Sequence, residues 1–326
     1  MLNEIVIPLL VGLAIFLFGL KIMEIALHQW AGPYLQSVLK QFTKTPLHGL
    51  LTGTATTAVL QSSSAVTVIT IGLVNSGLLT FSRTLGIILG TNIGTCLTTE
   101  LIGLNIGRHA LTILYVAAAV WSSTFLVMPF VRYLHKAIPH LRCLSLTAAG
   151  FACIMLGMKV METITPALQS RGLFIWFLEH AQTSILWGVI AGMVITAVIQ
   201  SGTATIGIAM GLAAVSAISV DLAVAITLGA NIGSCSTGLI ACIGSSKSAQ
   251  FVAWSHVTLN LIGTALFLPF IGQLAAVSGM ISSDPIGQIA HAQTIFNIVC
   301  SVLALPFAYL PIFRRMDQAP PPPSTT

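Results

Sequence analysis

The chain has 326 residues, of which 56% are hydrophobic and only 6% charged, with a mean hydropathy of +0.96. Soluble domains carry about 25% charged residues, so this composition excludes an ordinary water-soluble domain and points to a polytopic protein of the lipid bilayer. The formal net charge of +5 gives no reason to expect a nucleic-acid partner; the placement of the basic residues along the chain is what informs.

The N-terminus carries Glu4 and no basic cluster, so no cleaved signal peptide is expected and residues 5–27 read as a first span. Lys21 and Glu24 fall near its end, three residues apart on one helical face. They read as a helix-end ion pair with a snorkelling lysine, or as a gate or coupling element. Residues 46–80 are apolar but too short for two crossings of about 20 residues each plus a turn. They read as a re-entrant hairpin with Gln61, Ser62, Ser63 and Ser64 at its tip, which requires protein or a water-filled cavity around that tip. Residues 84–104 read as a span broken at Gly90-Thr91-Asn92-Ile93-Gly94-Thr95, because paired glycines flanking Asn favour unwinding. Residues 109–131 complete a first unit, 1–140. A second unit, 141–275, holds span 145–166, hairpin 184–219 with Gln200, Ser201 and Thr203 at its tip, broken span 222–243 interrupted from Gly229 to Ser234, and span 250–272. Span 288–312 is extra, and the proline-rich tail 318–326 is expected to be disordered.

The two units are copies. A constant offset of 139 carries Gly53–Thr98 onto Gly192–Thr237 without a gap, with about 18 of 46 positions identical. Chance similarity between apolar segments would not keep Gln, Ser and Asn in register, so the pattern is an internal duplication. Lys159 and Glu162 recur in the frame of Lys21 and Glu24: Gly19-x-Lys21-x-Met23-Glu24 against Gly157-x-Lys159-x-Met161-Glu162. Three crossings per copy imply opposite orientations. With the N-terminus outside and the C-terminus cytoplasmic, Lys40, Lys44, Arg83, Arg132, Lys136, Arg142, Lys247, Arg314 and Arg315 fall inside. Only Arg108 and Arg171 fall outside, which is the positive-inside bias. The expected fold is thus an all-α polytopic membrane protein with two inverted-topology repeats. Each repeat has a re-entrant helical hairpin and a broken transmembrane helix, and one extra C-terminal transmembrane helix follows. The hairpin tips would converge near the midplane, as in many secondary transporters of the cell membrane.

A hairpin tip exposes the N-terminus of its second half-helix, where free N–H groups and the helix dipole favour an anion. Ser62, Ser63, Ser64, Ser201 and Thr203 add hydroxyls, and Gln61 and Gln200 add amides. Unwound carbonyls beside Asn92 and Asn231 would suit a small hard cation. The candidate cation ligands are Thr91, Asn92, Thr95, Asn231 and Ser234, together with Ser64 and Thr203. No tip residue is Arg or Lys, so a bound anion needs co-bound cations, a physical reason for coupled transport. Small residues that merely allow close helix packing are the alternative, but packing requires neither Gln nor Asn. His256 with Asn260, and His291 with Asn297, read as buried hydrogen bonds between helices, or as groups on a proton-sensitive path. Glu100 is an intramembrane carboxylate, functional by default, though its place near the outer end of its span weakens that. The six cysteines lack metal-ligand spacing and read as small packing residues. No catalytic residue and no transition metal is expected.

The doubled Gln-Ser-Ser-Ser type motif and the doubled Gly-x-Asn-Ile-Gly-Thr/Ser motif resemble those of the type II sodium/phosphate cotransporters and their bacterial relatives. The resemblance covers roughly residues 10–310. It implies symport of inorganic phosphate with Na+ as coupling ion and no other cofactor, the phosphate-binding set being Gln61, Ser62, Ser63, Ser64, Gln200, Ser201 and Thr203. Gly202 stands where the family has a serine, which removes one hydroxyl and leaves the number of sodium ions open. Many bacterial relatives carry a cytoplasmic PhoU-like regulatory domain; none is expected after Arg315, and homodimerisation stays open. Two other functions remain: a lipid pyrophosphate phosphatase, which would want carboxylates or Arg at the tips, and a transporter of another oxyanion such as sulfate.

Overall fold

The computed structural model describes residues 2–104, 109–127, 137–164 and 185–311. The described residues form twelve α-helices, with short 3-10 and π turns and no strand. A π-turn leads into α1 (Ile7–Phe42). There follow α2 (Pro46–Leu60), α3 (Ser63–Asn75), α4 (Phe81–Gly103), α5 (Ala110–Val127) and α6 (Ala137–Glu162). After the undescribed stretch come α7 (Ile185–Ile199), α8 (Gly202–Ala214), α9 (Val220–Ala241), α10 (Lys247–Phe267), α11 (Ile271–Ile281) and α12 (Pro285–Ala304). Among the described residues, six stretches are long and apolar enough to cross a membrane: Glu4–Phe42, Phe81–Gly103, Ala137–Glu162, Val220–Ala241, Lys247–Ile281 and Pro285–Tyr309. The expected span 109–131 is described only to Val127, and the tail 318–326 lies outside the described residues.

α1 runs well past the expected end at residue 27, straight through Pro33. Its last turns are held by tertiary contacts: Leu35 and Leu39 pack with Val66, Ile71 and Leu85, and Trp30 Nε1 donates to His140 Nδ1 of α6 at 2.7 Å. α1 and α6 run antiparallel and touch through glycines. A Cβ at Gly12 would lie 2.8 Å from the Gly157 carbonyl oxygen, and one at Gly19 would lie 2.5 Å from that of Gly150.

The paired glycines of α4 and α9 do not break those helices; both are continuous. This corrects the expectation of broken spans at Gly90–Thr95 and Gly229–Ser234. The glycines instead let two backbones touch. A Cβ at Gly90 would lie 2.2 Å from Leu50 O, and one at Gly94 2.6 Å from Thr54 O. The second copy repeats this, with 1.9 Å from Gly229 to Val189 O and 2.4 Å from Gly233 to Met193 O. A helical glycine costs about 1 kcal/mol relative to alanine, which the close approach and its dispersion contacts offset.

Those contacts also fix direction. Pro46, Leu50 and Thr54 meet Gly86, Gly90 and Gly94 in the same order, so α2 and α4 are parallel. The chain must therefore turn back between them, and α2–α3 is a true hairpin with Gln61-Ser62 at its tip. The same holds for α7–α8, because Val189 and Met193 meet Gly229 and Gly233 in order.

Several basic residues gather at one end of the bundle. Ser246 N donates to Asn75 Oδ1 at 2.7 Å and Leu47 N to the Tyr309 hydroxyl at 3.1 Å. These bonds bring together the chain around Lys44, Arg83 and Lys247, with Lys40 at the end of α1. The opposite end joins Ile5, Ile164, Val215 and Ala217 in one cluster, beside the acidic Glu4, Glu162 and Asp221.

Candidate functional site

Each hairpin tip is built from a strained residue followed by a cap. Gln61 and Gln200 end α2 and α7 in the left-handed region, at φ +54° and +61°. Among the described residues Ser216 is the one other non-glycine with positive φ. Such a conformation costs on the order of 1 kcal/mol or more and persists only where surrounding contacts hold it. The contacts here are the glutamine side chains themselves. Gln61 Nε2 donates to Ala58 O, and its Oε1 accepts from the Thr98 hydroxyl of α4. Gln200 Nε2 donates to Ala197 O at 2.9 Å, and its Oε1 accepts from the Thr237 hydroxyl of α9 at 3.1 Å. Each amide thus closes the end of its own helix and ties the tip to the following span.

Ser62 and Ser201 are extended and cap the helices that follow, accepting from Ala65 N at 3.4 Å and Ala204 N at 3.3 Å. The N–H groups of Ser63 and Ser64, and of Gly202 and Thr203, then fall in first turns where no intrahelical acceptor exists. The two tips line a single cleft of about 420 Å³. The structure so brings together Gln61, Ser62, Ser63, Ser64, Gln200, Ser201 and Thr203, although the two motifs lie 139 residues apart.

α1 supplies a wall to this cleft through Leu17, Leu20, Lys21 and Glu24. Lys21 and Glu24 are therefore not a helix-end pair, because α1 continues to Phe42. Lys21 Nζ donates to Glu24 Oε2 at 3.0 Å, and Ser62 Oγ donates to Glu24 Oε1 at 3.0 Å. Lys159 and Glu162 do not line the cleft; they sit in the last turn of α6, at the acidic end. The sequence correspondence between the two pairs is thus not a correspondence of place. One helix runs on past its pair, and the other stops at it.

The predicted sodium ligands divide. Ser64 and Thr203 line the cleft, whereas Thr91, Asn92, Thr95, Asn231 and Ser234 do not. The latter sit on unbroken helices whose carbonyls are engaged in the helix. Thr91 Oγ1 donates to Ile88 O at 2.7 Å, Thr95 Oγ1 to Thr91 O at 2.8 Å, Ser234 Oγ to Asn231 O at 2.8 Å and Asn231 Nδ2 to Thr227 O at 3.2 Å. Sequence reading passed over two residues behind the tips. The hydroxyls of Thr57 and Thr196 are buried without a hydrogen-bond partner, one helical turn before each glutamine and in matching positions of the two copies. Their signal was present in the repeat itself, where Thr57-Ala58-Val59 matches Thr196-Ala197-Val198.

Gly202 has room for the serine hydroxyl it lacks. A Cβ there would meet Ser234 Cβ at 3.5 Å and Ala230 O at 3.8 Å, ordinary contact distances. Gly202→Ser should therefore fold with stability within about 0.5 kcal/mol of the parent, read as an unchanged melting temperature in detergent.

A second polar cluster lies away from the cleft, where α4 meets α9, α10 and α12. His256 Nε2 and Asn92 Oδ1 are 3.1 Å apart, Asn92 Nδ2 donates to Asn260 Oδ1 at 3.3 Å, and Asn260 Nδ2 to Cys235 Sγ at 3.3 Å. Asn297 Nδ2 donates to Cys96 Sγ at 3.3 Å, and His291 Nδ1 lies 3.0 Å from Glu100. Thr294 also donates to Glu100. His256, His291 and Glu100 thus each make a contact between helices. Gln293, fully buried with neither amide atom partnered, belongs to the same helix α12 and was not singled out by its sequence.

The sequence has counterparts in known proteins. A family model described as "Na+/Pi-cotransporter" matches residues 15–163 and 166–305. "Uncharacterized protein YqeW" of Bacillus subtilis (strain 168) is 32% identical over 90% of this chain and 92% of its own length. "Putative inorganic phosphate export protein YjbB" of Escherichia coli (strain K12) is 25% identical over 92% of this chain, which spans about half (53%) of that relative. "Sodium-dependent phosphate transport protein 2A" of Rattus norvegicus is 35% identical over 30% of this chain and 16% of its own length. No solved structure matches. With two family-model matches that together span almost all of the described helices, this multi-pass membrane protein belongs to the Na+/Pi-cotransporter family.

Proposed function

We propose that the chain is a secondary active transporter that moves inorganic phosphate together with Na+ across the cell membrane by alternating access. The observation that carries this is the convergence of two repeat-related helix N-termini on one cleft. Phosphate takes the free N–H groups of Ser63, Ser64, Gly202 and Thr203 and the hydroxyls of Ser63, Ser64, Ser201 and Thr203, while the Ser62 hydroxyl is engaged with Glu24. Gln61 and Gln200 hold the tips in place. The only cation among the cleft-lining residues is Lys21, already paired with Glu24, so co-bound Na+ supplies the remaining charge compensation. The orphaned hydroxyls of Thr57 and Thr196 offer oxygen ligands that the engaged carbonyls of α4 and α9 do not. The names of the rat and Escherichia coli relatives support phosphate as the cargo.

The two units act as inverted repeats. Supporting this are the antiparallel crossing of α1 on α6 and the two stretches matched by the family model. The hairpins are re-entrant: α2 and α3 have 15 and 13 residues, lengths of about 20–22 Å against a hydrocarbon core of about 30 Å. The basic end faces the cytoplasm, which puts the N-terminus outside. Reconstituted protein should take up labelled phosphate under an inward Na+ gradient and not under K+. A Gln61→Ala, Gln200→Ala variant should lose that uptake by about 100-fold. Folded wild type that moves no phosphate under either gradient would rule the reading out.

A further inference from the structure

We propose that Glu24 is the residue that makes the cleft select oxyanions carrying a proton, so that phosphate is accepted and sulfate refused. This rests on the phosphate reading above and goes beyond it by naming what sets specificity.

The argument starts from the donors. Ser63, Ser64, Gly202 and Thr203 N–H groups, the hydroxyls of Ser63, Ser64, Ser201 and Thr203, and the Lys21 ammonium all offer hydrogens. Donors alone do not separate phosphate from sulfate, since both are tetrahedral, similar in size and anionic. Discrimination needs an acceptor that only one of them can satisfy. Among the described residues that line the cleft, Glu24 is the one carboxylate. It is held at the tip of the first hairpin, with Oε1 bonded to the Ser62 hydroxyl and Oε2 to Lys21 Nζ, both at 3.0 Å. A carboxylate has about four acceptor positions, so these two bonds hold it in place and leave acceptor capacity for a further donor in the cleft it lines. Ser62 caps α3, so an anion seated on the first turn of that helix comes within reach of Glu24.

Near neutral pH inorganic phosphate retains at least one P–O–H, which donates to the carboxylate. Sulfate has no proton, and one of its oxygens would face Glu24 lone pair to lone pair, with two like charges in contact. A site built around a substrate hydrogen bond rejects an analogue that cannot make it by up to about 10⁴-fold, and a partly open cleft by less. Arsenate, which also keeps an O–H near neutral pH, should pass.

The test is competition against labelled phosphate uptake in sodium-driven proteoliposomes, for wild type, Glu24→Gln and Glu24→Asp. Inhibition constants are compared as a ratio within each preparation, so the folded fraction cancels. In wild type, unlabelled phosphate and arsenate should compete alike, with sulfate at least about 100-fold weaker. Glu24→Gln replaces the charge with an amide that can donate to sulfate, and should narrow the sulfate-to-phosphate ratio at least tenfold. Glu24→Asp keeps a carboxylate, withdrawn by one methylene, and should retain the discrimination with weaker phosphate uptake. Sulfate competing as well as arsenate in wild type would overturn the inference without any variant. An unchanged ratio in Glu24→Gln together with a changed dependence on Na+ would also overturn it, making Glu24 a cation ligand. Wild type that transports no phosphate would remove the transport reading and this inference with it, a result distinct from either.

Discussion

Gly229→Ala destabilises the protein by about 3 kcal/mol or more, although alanine is intrinsically better in a helix than glycine by about 1 kcal/mol. The added Cβ would lie 1.9 Å from the Val189 carbonyl oxygen and 2.7 Å from its carbonyl carbon. The obstacle is backbone on a facing helix, so no rotamer change relieves it, and α7 and α9 must separate. Separation also removes the contacts of Gly233 with Met193 and pulls on the tip that α7 carries. Gly90→Ala should behave alike, its Cβ lying 2.2 Å from Leu50 O. The control is Gly72→Ala in α3, where a Cβ meets nothing within 4 Å, and which should be neutral or stabilising by up to about 1 kcal/mol. Thermal unfolding in detergent, followed by the fraction remaining monodisperse, ranks the three. Equal midpoints for Gly229→Ala and Gly72→Ala would mean that the two backbones do not touch.

Gln61→Gly with Gln200→Gly should abolish phosphate uptake while lowering stability by only about 2 kcal/mol. Glycine adopts the left-handed conformation of both positions without the steric cost, a gain on the order of 1 kcal/mol per site. Against this stand the lost side-chain hydrogen bonds to Ala58 and Thr98, and to Ala197 and Thr237, each worth about 1 kcal/mol. Four lost bonds against two relieved backbone positions leave a net cost of about 2 kcal/mol. The tips, however, lose their ties to α4 and α9, and displacement of about 1 Å costs on the order of 100-fold in a positioned site. Alanine at the same positions keeps the backbone cost and should lower the melting temperature as well. A double glycine variant that melts with the parent and still transports phosphate would show that the amides have no part in the site.

The tips were legible because their geometry is local. Gln-Ser followed by small polar residues, repeated at a fixed offset, is enough to place a helix end, a cap and a new helix start. The polar character of those stretches inside apolar sequence also marked them for a shared site. The glycine pairs were not legible in the same way. Gly90 and Gly94, or Gly229 and Gly233, weaken an isolated helix and permit close packing in an assembled one. Which outcome holds depends on whether another backbone lies opposite, and only α2 and α7 answer that. Lys21 and Glu24 were misplaced for a related reason, since the length of the apolar run suggests a helix end near residue 27 that the packing of Leu35 and Leu39 overrides.

The sequence by itself determined the membrane class, through a scarcity of charge that a water-exposed surface cannot tolerate. It also determined the duplication and the positions of the two tips, because these are matters of composition, register and local backbone preference. Only the tertiary structure decided that the two tips share one cleft and that α4 and α9 stay unbroken. Only it decided that Glu24 and Lys21 enter the site while Glu162 and Lys159 do not. These are questions of which surfaces meet. Meeting is set by close backbone packing and helix length across residues far apart in the chain, and no local pattern encodes it.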